Sequence, residues 1–219
     1  MAHFGKMFPL IMVIMTSLAL NLNKVYAADP DMLQDICPAD LTSTVKVNGF
    51  PCKNTSTTAD FTSSALATPF VITNPFGYAG AEANVLNVPG LNTLGVSMAR
   101  VDYAPGGIGP PHVHPRASEI IYVLHGQLLV GFITTRNVLF SKVIRQGEVF
   151  VFPRGLVHFQ KNTGKSVASI IVAFNSQLPG IQLISPTLFE SSPPVPDDIL
   201  AQTFLTTPAQ IALLRKNFV

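Results

Sequence analysis

Seven short apolar runs, each bounded by turn-forming residues, restrict this chain to an all-β fold. They occupy residues 94–103, 119–124, 127–133, 138–144, 149–152, 157–161 and 169–175. Pro105-Gly106-Gly107, His125-Gly126, Gln146-Gly147 and Pro153-Arg154-Gly155 separate them. Short strands at roughly ten-residue spacing make a sandwich or a barrel. No helices alternate with the runs, which argues against a parallel α/β sheet. Upstream, residues 28–59 read as loop, interrupted by Pro30, Pro38, Gly49 and Pro51, and residues 60–90 read as irregular. Downstream the texture changes. After Pro193-Pro194-Val195-Pro196 come two acidic residues and then Leu200 and Phe204, four apart. Thr207-Pro208-Ala209-Gln210 supplies a helix N-cap, a proline at the first helical position and Gln at the third. Arg215 and Lys216 suit the last turn of that helix. Two short helices are therefore expected after the barrel, with apolar faces that need a partner.

The first 27 residues have the plan of a secretory signal. Lys6 precedes a fourteen-residue apolar stretch, 7–20, and Val25-Tyr26-Ala27 places small residues at the two positions a signal peptidase inspects. The cut is expected after Ala27. Fourteen residues fall short of the roughly 20 that cross a bilayer, so no membrane anchor is expected in the processed chain. Lys6 and Lys24 account for the formal charge of +2, because without them 12 Lys+Arg face 12 Asp+Glu. Such a balance gives nucleic acid no electrostatic purchase. In a secreted chain the two cysteines, Cys37 and Cys52, are most simply read as one disulfide, and a pair of free metal-binding thiols is the alternative. Asn54-Thr55-Ser56 is the chain's one N-glycosylation sequon. The expected division is a leader at 1–27, a disulfide-bridged extension at 28–59 and a barrel domain with its C-terminal helices at 60–219.

Chemistry concentrates in two turn-rich segments. In the first, His112 and His114 are two residues apart and face the same side of an extended chain. Glu119 is an odd number of residues further on, so Pro115-Arg116-Ala117-Ser118 must bend the chain for it to rejoin them. In the second, Pro153-Arg154-Gly155 suits a tight turn, and His158 follows on the returning strand. Three imidazoles and a carboxylate suit a six-coordinate Mn or Fe ion with two positions free, or a closed four-coordinate Zn. His125, beside Gly126 in a turn, reads as an ordinary surface or packed histidine.

Residues 106–126 and 147–162 resemble both sequence boxes of the cupin superfamily, and more narrowly those of the plant germins and germin-like proteins. Asp29-Pro30-Asp31-Met32-Leu33-Gln34-Asp35-Ile36-Cys37, Asn48-Gly49-Phe50-Pro51-Cys52-Lys53 and Phe174-Asn175-Ser176-Gln177-Leu178-Pro179-Gly180 also resemble that family. The resemblance implies a jelly-roll β-barrel holding Mn on His112, His114, Glu119 and His158, with Asn162 facing the pocket. It further implies a Cys37–Cys52 bridge, a hexamer built as a trimer of dimers clasped by C-terminal helices, and location in the apoplast or cell wall. Germins oxidise oxalate, whereas many germin-like proteins dismutate superoxide. Two asparagines of the oxalate-oxidising germins correspond here to Ala99 and Gly109, which offer no side-chain donor to a carboxylate. The expected activity is therefore manganese superoxide dismutation, with oxalate oxidation and a non-catalytic wall-associated binding role as the alternatives. Arg100 and Arg116 are candidates either for steering an anion or for ordinary salt bridges.

Overall fold

The computed structural model describes residues 33–45 and 49–218. The expected leader, its cut after Ala27 and the start of the extension lie outside the described residues. In chain order the first five strands are β1 (Tyr78–Ala83), β2 (Ser97–Tyr103), β3 (Ile108–Val113), β4 (Glu119–His125) and β5 (Gln127–Ile133). Then come β6 (Leu139–Arg145), β7 (Val149–Phe152), β8 (His158–Asn162), β9 (Ala168–Phe174) and the two-residue β10 (Gln182–Leu183). They form two antiparallel sheets, ordered β1-β2-β9-β4-β7 and β10-β3-β8-β5-β6. All seven expected runs become strands, two of them, β5 and β7, with the expected bounds.

The sheets close on one core because their strands alternate. On β4, Glu119, Ile121 and Val123 are buried, while Ile120, Tyr122 and Leu124 face outward. Inward residues of β9 (Ile170, Val172) and β4 meet Leu128, Val130 and Ile144 of the opposite sheet. Each such fully buried aliphatic side chain contributes about 1.5–3 kcal/mol.

The structure corrects the reading of residues 60–90 as irregular, since β1 lies there and pairs with β2 along its full length. β3 was also not foreseen. Along its pairing with β8, Gly109 lies opposite Gln160 but His112 lies opposite His158. Pro110 and Pro111 together therefore face Phe159 alone, which is a β-bulge. Prolines are tolerated there because a bulge interrupts the ladder hydrogen bonds that they cannot donate. The extra residue matters: a one-residue slip exchanges the faces of a strand. It lets both Gly109 and His112 face inward.

Three helices, not two, follow the barrel: α1 (Ile184–Phe189), α2 (Asp197–Thr203) and α3 (Pro208–Arg215). The expected cap is present, with the Thr207 side chain accepting from the Gln210 amide. Phe189, Leu200, Ala201 and Ile211 form a small core of their own. Arg215 holds it together by donating to Asp197 at 2.8 Å and to the Phe189 carbonyl at 3.0 Å.

Cys37 and Cys52 are bridged. Ala39 pairs with Cys52, and its amide donates to the Pro89 carbonyl at 2.8 Å, which seats the bridged loop on the barrel. Asn92, fully buried, donates to the Phe50 carbonyl at 2.8 Å from beneath. With a sequence separation of 15 between the cysteines, the bridge restricts the unfolded chain by about 3 kcal/mol. The Cys37→Ser/Cys52→Ser protein is therefore expected to unfold several degrees below wild type in a thermal scan. An unchanged midpoint would show that the extension contributes nothing to global stability.

Candidate metal centre

The bulge on β3 and the turn after it assemble the site. His112 and His158 are direct cross-strand partners, with ring centroids 4.1 Å apart. His114 follows just beyond β3 on the same side, and the turn through Pro115 and Arg116 brings the chain back so that β4 begins on Glu119. Glu119 heads the inward row of β4, above Ile121 and Val123. One potential ligand atom from each of His112, His114, Glu119 and His158 lies within 4.8 Å of the others, and all four residues are buried. The bend that the sequence demanded for Glu119 is thus present.

Each imidazole is oriented by a backbone carbonyl. Nδ1 of His112 meets the Pro110 carbonyl at 2.8 Å, Nδ1 of His114 meets that of Gly180 at 2.5 Å, and Nδ1 of His158 meets that of Leu156 at 2.8 Å. A carbonyl can only accept, so each Nδ1 donates to it, which leaves each Nε2 as the ring atom available to the cluster. Two of these Nε2 atoms, from His114 and His158, lie 2.9 and 3.2 Å from one oxygen of Glu119. The other oxygen accepts from Gln160 at 3.4 Å.

At His112 and Glu119 the electrostatics favour the protonation states that a metal needs. Burial pushes the His112 imidazole down to about 4, and the neighbouring His158 charge adds to the effect. Burial would raise the Glu119 carboxyl, but hydrogen bonds from His114 and His158 outweigh it and bring the group to about 2. At neutral pH the site thus presents a neutral His112 and an ionised carboxylate. Three imidazoles and one carboxylate, converging in one buried cluster, are a donor set that fits a divalent transition metal.

The cluster opens on a cavity of about 250 Å³. Its walls include Ala99 and Gly109, as well as Tyr103 and Gln160, which sequence reasoning did not single out. Gln160 was findable, being two residues from His158 on the same face of β8. Tyr103 carries no local signature beyond sharing the inward row of β2 with Ala99. Burial, reinforced by the charge of Glu119, raises its phenol well above the ordinary range, so it is protonated at neutral pH.

Other expected residues have different places. Asn162 does not line the cavity: its Nδ2 serves the carbonyls of Tyr103, Ala104 and Ser166, and its Oδ1 accepts from the Gly164 amide. It locks the turns at one end of the barrel. The Arg100 guanidinium pairs with the fully buried Asp102 at 3.2 Å, and Asp102 also accepts from the Phe70 amide at 3.0 Å. Arg116 donates to the Leu178 carbonyl at 2.7 Å. Both arginines are thus engaged in structural contacts. His125 is exposed at the end of β4, and Asn54 is exposed beside the bridged loop.

Comparison with known proteins agrees with this geometry. The cupin family model matches residues 43–212. Over 223 residues the chain is 60% identical to nectarin-1 of Nicotiana langsdorffii x Nicotiana sanderae, covering 100% of this chain and 97% of that protein. It is 55% identical over 210 residues to germin-like protein subfamily 2 member 1 of Arabidopsis thaliana, covering 95% of each. Among solved structures, a recombinant oxalate oxidase in complex with glycolate matches with a TM-score of 0.84 at 47% identity, over 88% of this chain and 98% of that one. With the bridged extension, the jelly-roll sheets and the buried three-histidine, one-glutamate cluster in place, the chain belongs to the germin-like proteins of the cupin family.

Proposed function

We propose that this protein is a secreted manganese superoxide dismutase, holding its metal on His112, His114, Glu119 and His158. The observation that carries the reading is the cluster's setting: four convergent donors at a cavity whose walls at Ala99 and Gly109 carry no hydrogen-bonding side chain. A dicarboxylate would find no donor at either position, whereas superoxide needs little more than access and a proton source. The bound metal would supply a one-electron couple that converts two superoxide ions and two protons into O2 and hydrogen peroxide. The chain's own residues hold and tune the site. The three backbone carbonyls fix the imidazole tautomers, and Gln160 fixes one carboxylate oxygen, as the surroundings of metal ligands commonly do. Oxalate oxidation is the second reading, favoured by the likeness to oxalate oxidase.

Secretion follows from the leader at 1–27, for which the bridged cysteines are independent support. No described helix is long and apolar enough to cross a membrane. The apoplast is the proposed location, with Asn54 as the glycan site. Assembly into a hexamer is supported by the outer face of the first sheet. There Tyr122 lies opposite Val149, and Ile120 lies opposite Val151, all four substantially exposed. Met98 continues the patch across β9. Contiguous apolar area of this kind marks a protein–protein surface.

Three measurements test these proposals. Superoxide dismutation per mole of bound manganese is expected to fall to background in His112→Ala/His158→Ala protein. A metal-filled wild type no faster than that control would overturn the reading, and hydrogen peroxide formed from oxalate would support the second. Light scattering is expected to give a hexamer for wild type and smaller species for Val151→Asp. A monomeric wild type would refute the assembly.

The third measurement concerns acid. His112 binds its proton at about 4 when folded against 6.5 ordinarily, so the unfolded chain holds more protons between those values. Stability of the metal-free protein should therefore fall as pH drops from 6.5 towards 4, and Glu119, lowered from 4.5 to about 2, continues the loss below that. In thermal scans, metal-free His112→Ala should show a shallower decline across the upper window than metal-free wild type. Parallel declines would contradict the assignment.

A further inference from the structure

The bridge between Cys37 and Cys52 belongs to the extension, yet a short relay of contacts joins it to the metal centre. Beneath the bridged loop, fully buried Asn92 donates from Nδ2 to the Phe50 carbonyl at 2.8 Å and to the Cys37 sulfur at 3.4 Å. The next residue, Thr93, donates its amide to Oε1 of Gln177. The Gln177 carbonyl in turn accepts from the Val85 amide at 3.1 Å. Three residues on, the Gly180 carbonyl meets Nδ1 of His114. The loop also touches this relay directly. A Cβ on Gly49 would lie 3.8 Å from Gln177 Nε2 and 3.9 Å from Asn92 Oδ1, so Gly49 backs onto both side chains.

Two features of the relay are unfavourable in themselves and persist only while the loop is closed over them. Thr93 has a φ of 68°, in the left-handed region that a β-branched residue avoids. Asn92 Oδ1 is, among the described residues, the one buried side-chain atom with no hydrogen-bond partner, a cost that water would remove if the loop lifted. The bridge that keeps the loop down is open to attack from one side. Cys52 is exposed, whereas Cys37 is only 4% exposed. A thiolate therefore reaches Cys52 first, and the Asn92 amide is placed to donate to the Cys37 thiolate that leaves.

We propose that the Cys37–Cys52 bridge is a redox latch on metal retention, opened by a dithiol reductant. Opening slackens the relay through Asn92, Thr93 and Gln177, and His114 loses its fixed orientation. One thiolate of the dithiol attacks Cys52 Sγ, and the bond between the cysteines breaks with its electron pair on Cys37. The second thiolate then displaces Cys52 from the mixed disulfide. Two electrons and two protons pass to the two cysteines, and the dithiol leaves as a disulfide. The inference rests on the proposed metal site but not on the reaction performed there. Loss of such an orienting partner weakens metal sites by roughly ten-fold or more.

The test follows release of manganese from loaded protein into excess EDTA by electron paramagnetic resonance, well below the thermal midpoint, with and without dithiothreitol. Reduced wild type is expected to release metal roughly ten-fold faster than oxidised wild type. Cys37→Ser/Cys52→Ser should match the reduced rate without reductant, which removes chelation by dithiothreitol as the cause. Gln177→Leu should speed release with the bridge intact, and reduction should then add little, because both changes cut one relay. Ile144→Ala, a truncation of a buried residue on β6, controls for lost stability: its midpoint falls, but its release should stay at the wild-type rate. Equal release from reduced and oxidised wild type overturns the proposal, as does a bridge that dithiothreitol leaves closed in the folded protein. So does wild-type release from Gln177→Leu, or release from Ile144→Ala as fast as from the cysteine variant. An oxidised wild type that holds no manganese overturns the metal site and the latch together. Bridge-dependent retention in a protein that does not dismutate superoxide removes the dismutase reading and keeps the latch.

Discussion

Burying an ionised carboxylate at the end of an apolar barrel is the constraint around which this structure is organised. Glu119 shares its strand face with Ile121 and Val123, where a lone charge would be driven to protonate. It remains ionised because His114, His158 and Gln160 surround it. Those partners can do so only if β3 and β8 place them in one plane of the barrel, and that in turn depends on the bulge at Pro110 and Pro111. The site therefore depends on register. The same inward rows that fill the core with Ile170, Val172, Leu128 and Val130 turn polar over their last few positions.

Much of this was legible in the amino-acid order. The strands show as apolar runs because alternation and turn residues are local signals, and the spacing of His112, His114, Glu119 and His158 is itself local chemistry. What escaped was non-local. Tyr-Ala-Gly-Ala-Glu-Ala is a poor strand by propensity, and β1 exists because β2 offers it an edge to pair with. β3 contains two prolines in succession, a pattern that signals interruption unless a bulge accommodates it. α1 carries Pro186 in its first turn, where proline is tolerated, but it has no polar N-cap to announce it.

Within the site the limits were similar. Gln160 could be deduced from its spacing to His158, but Asn162, next in the same row, turned out to secure turns rather than to face the cavity. Periodicity tells which way a side chain points, and the neighbours it meets depend on the whole fold. Arg100 makes the same point, since its charge is answered by Asp102, two residues along the same strand.

The short strand β10 has a mechanical consequence. Leu183 lies opposite His112, the Gly180 carbonyl just upstream holds His114, and the chain passes from Leu183 directly into α1. The tail helices and two of the histidines are thus carried on one continuous splint. Pulling the helices off the barrel would loosen the imidazoles as well, and whatever braces the helices stiffens the far end of the same lever.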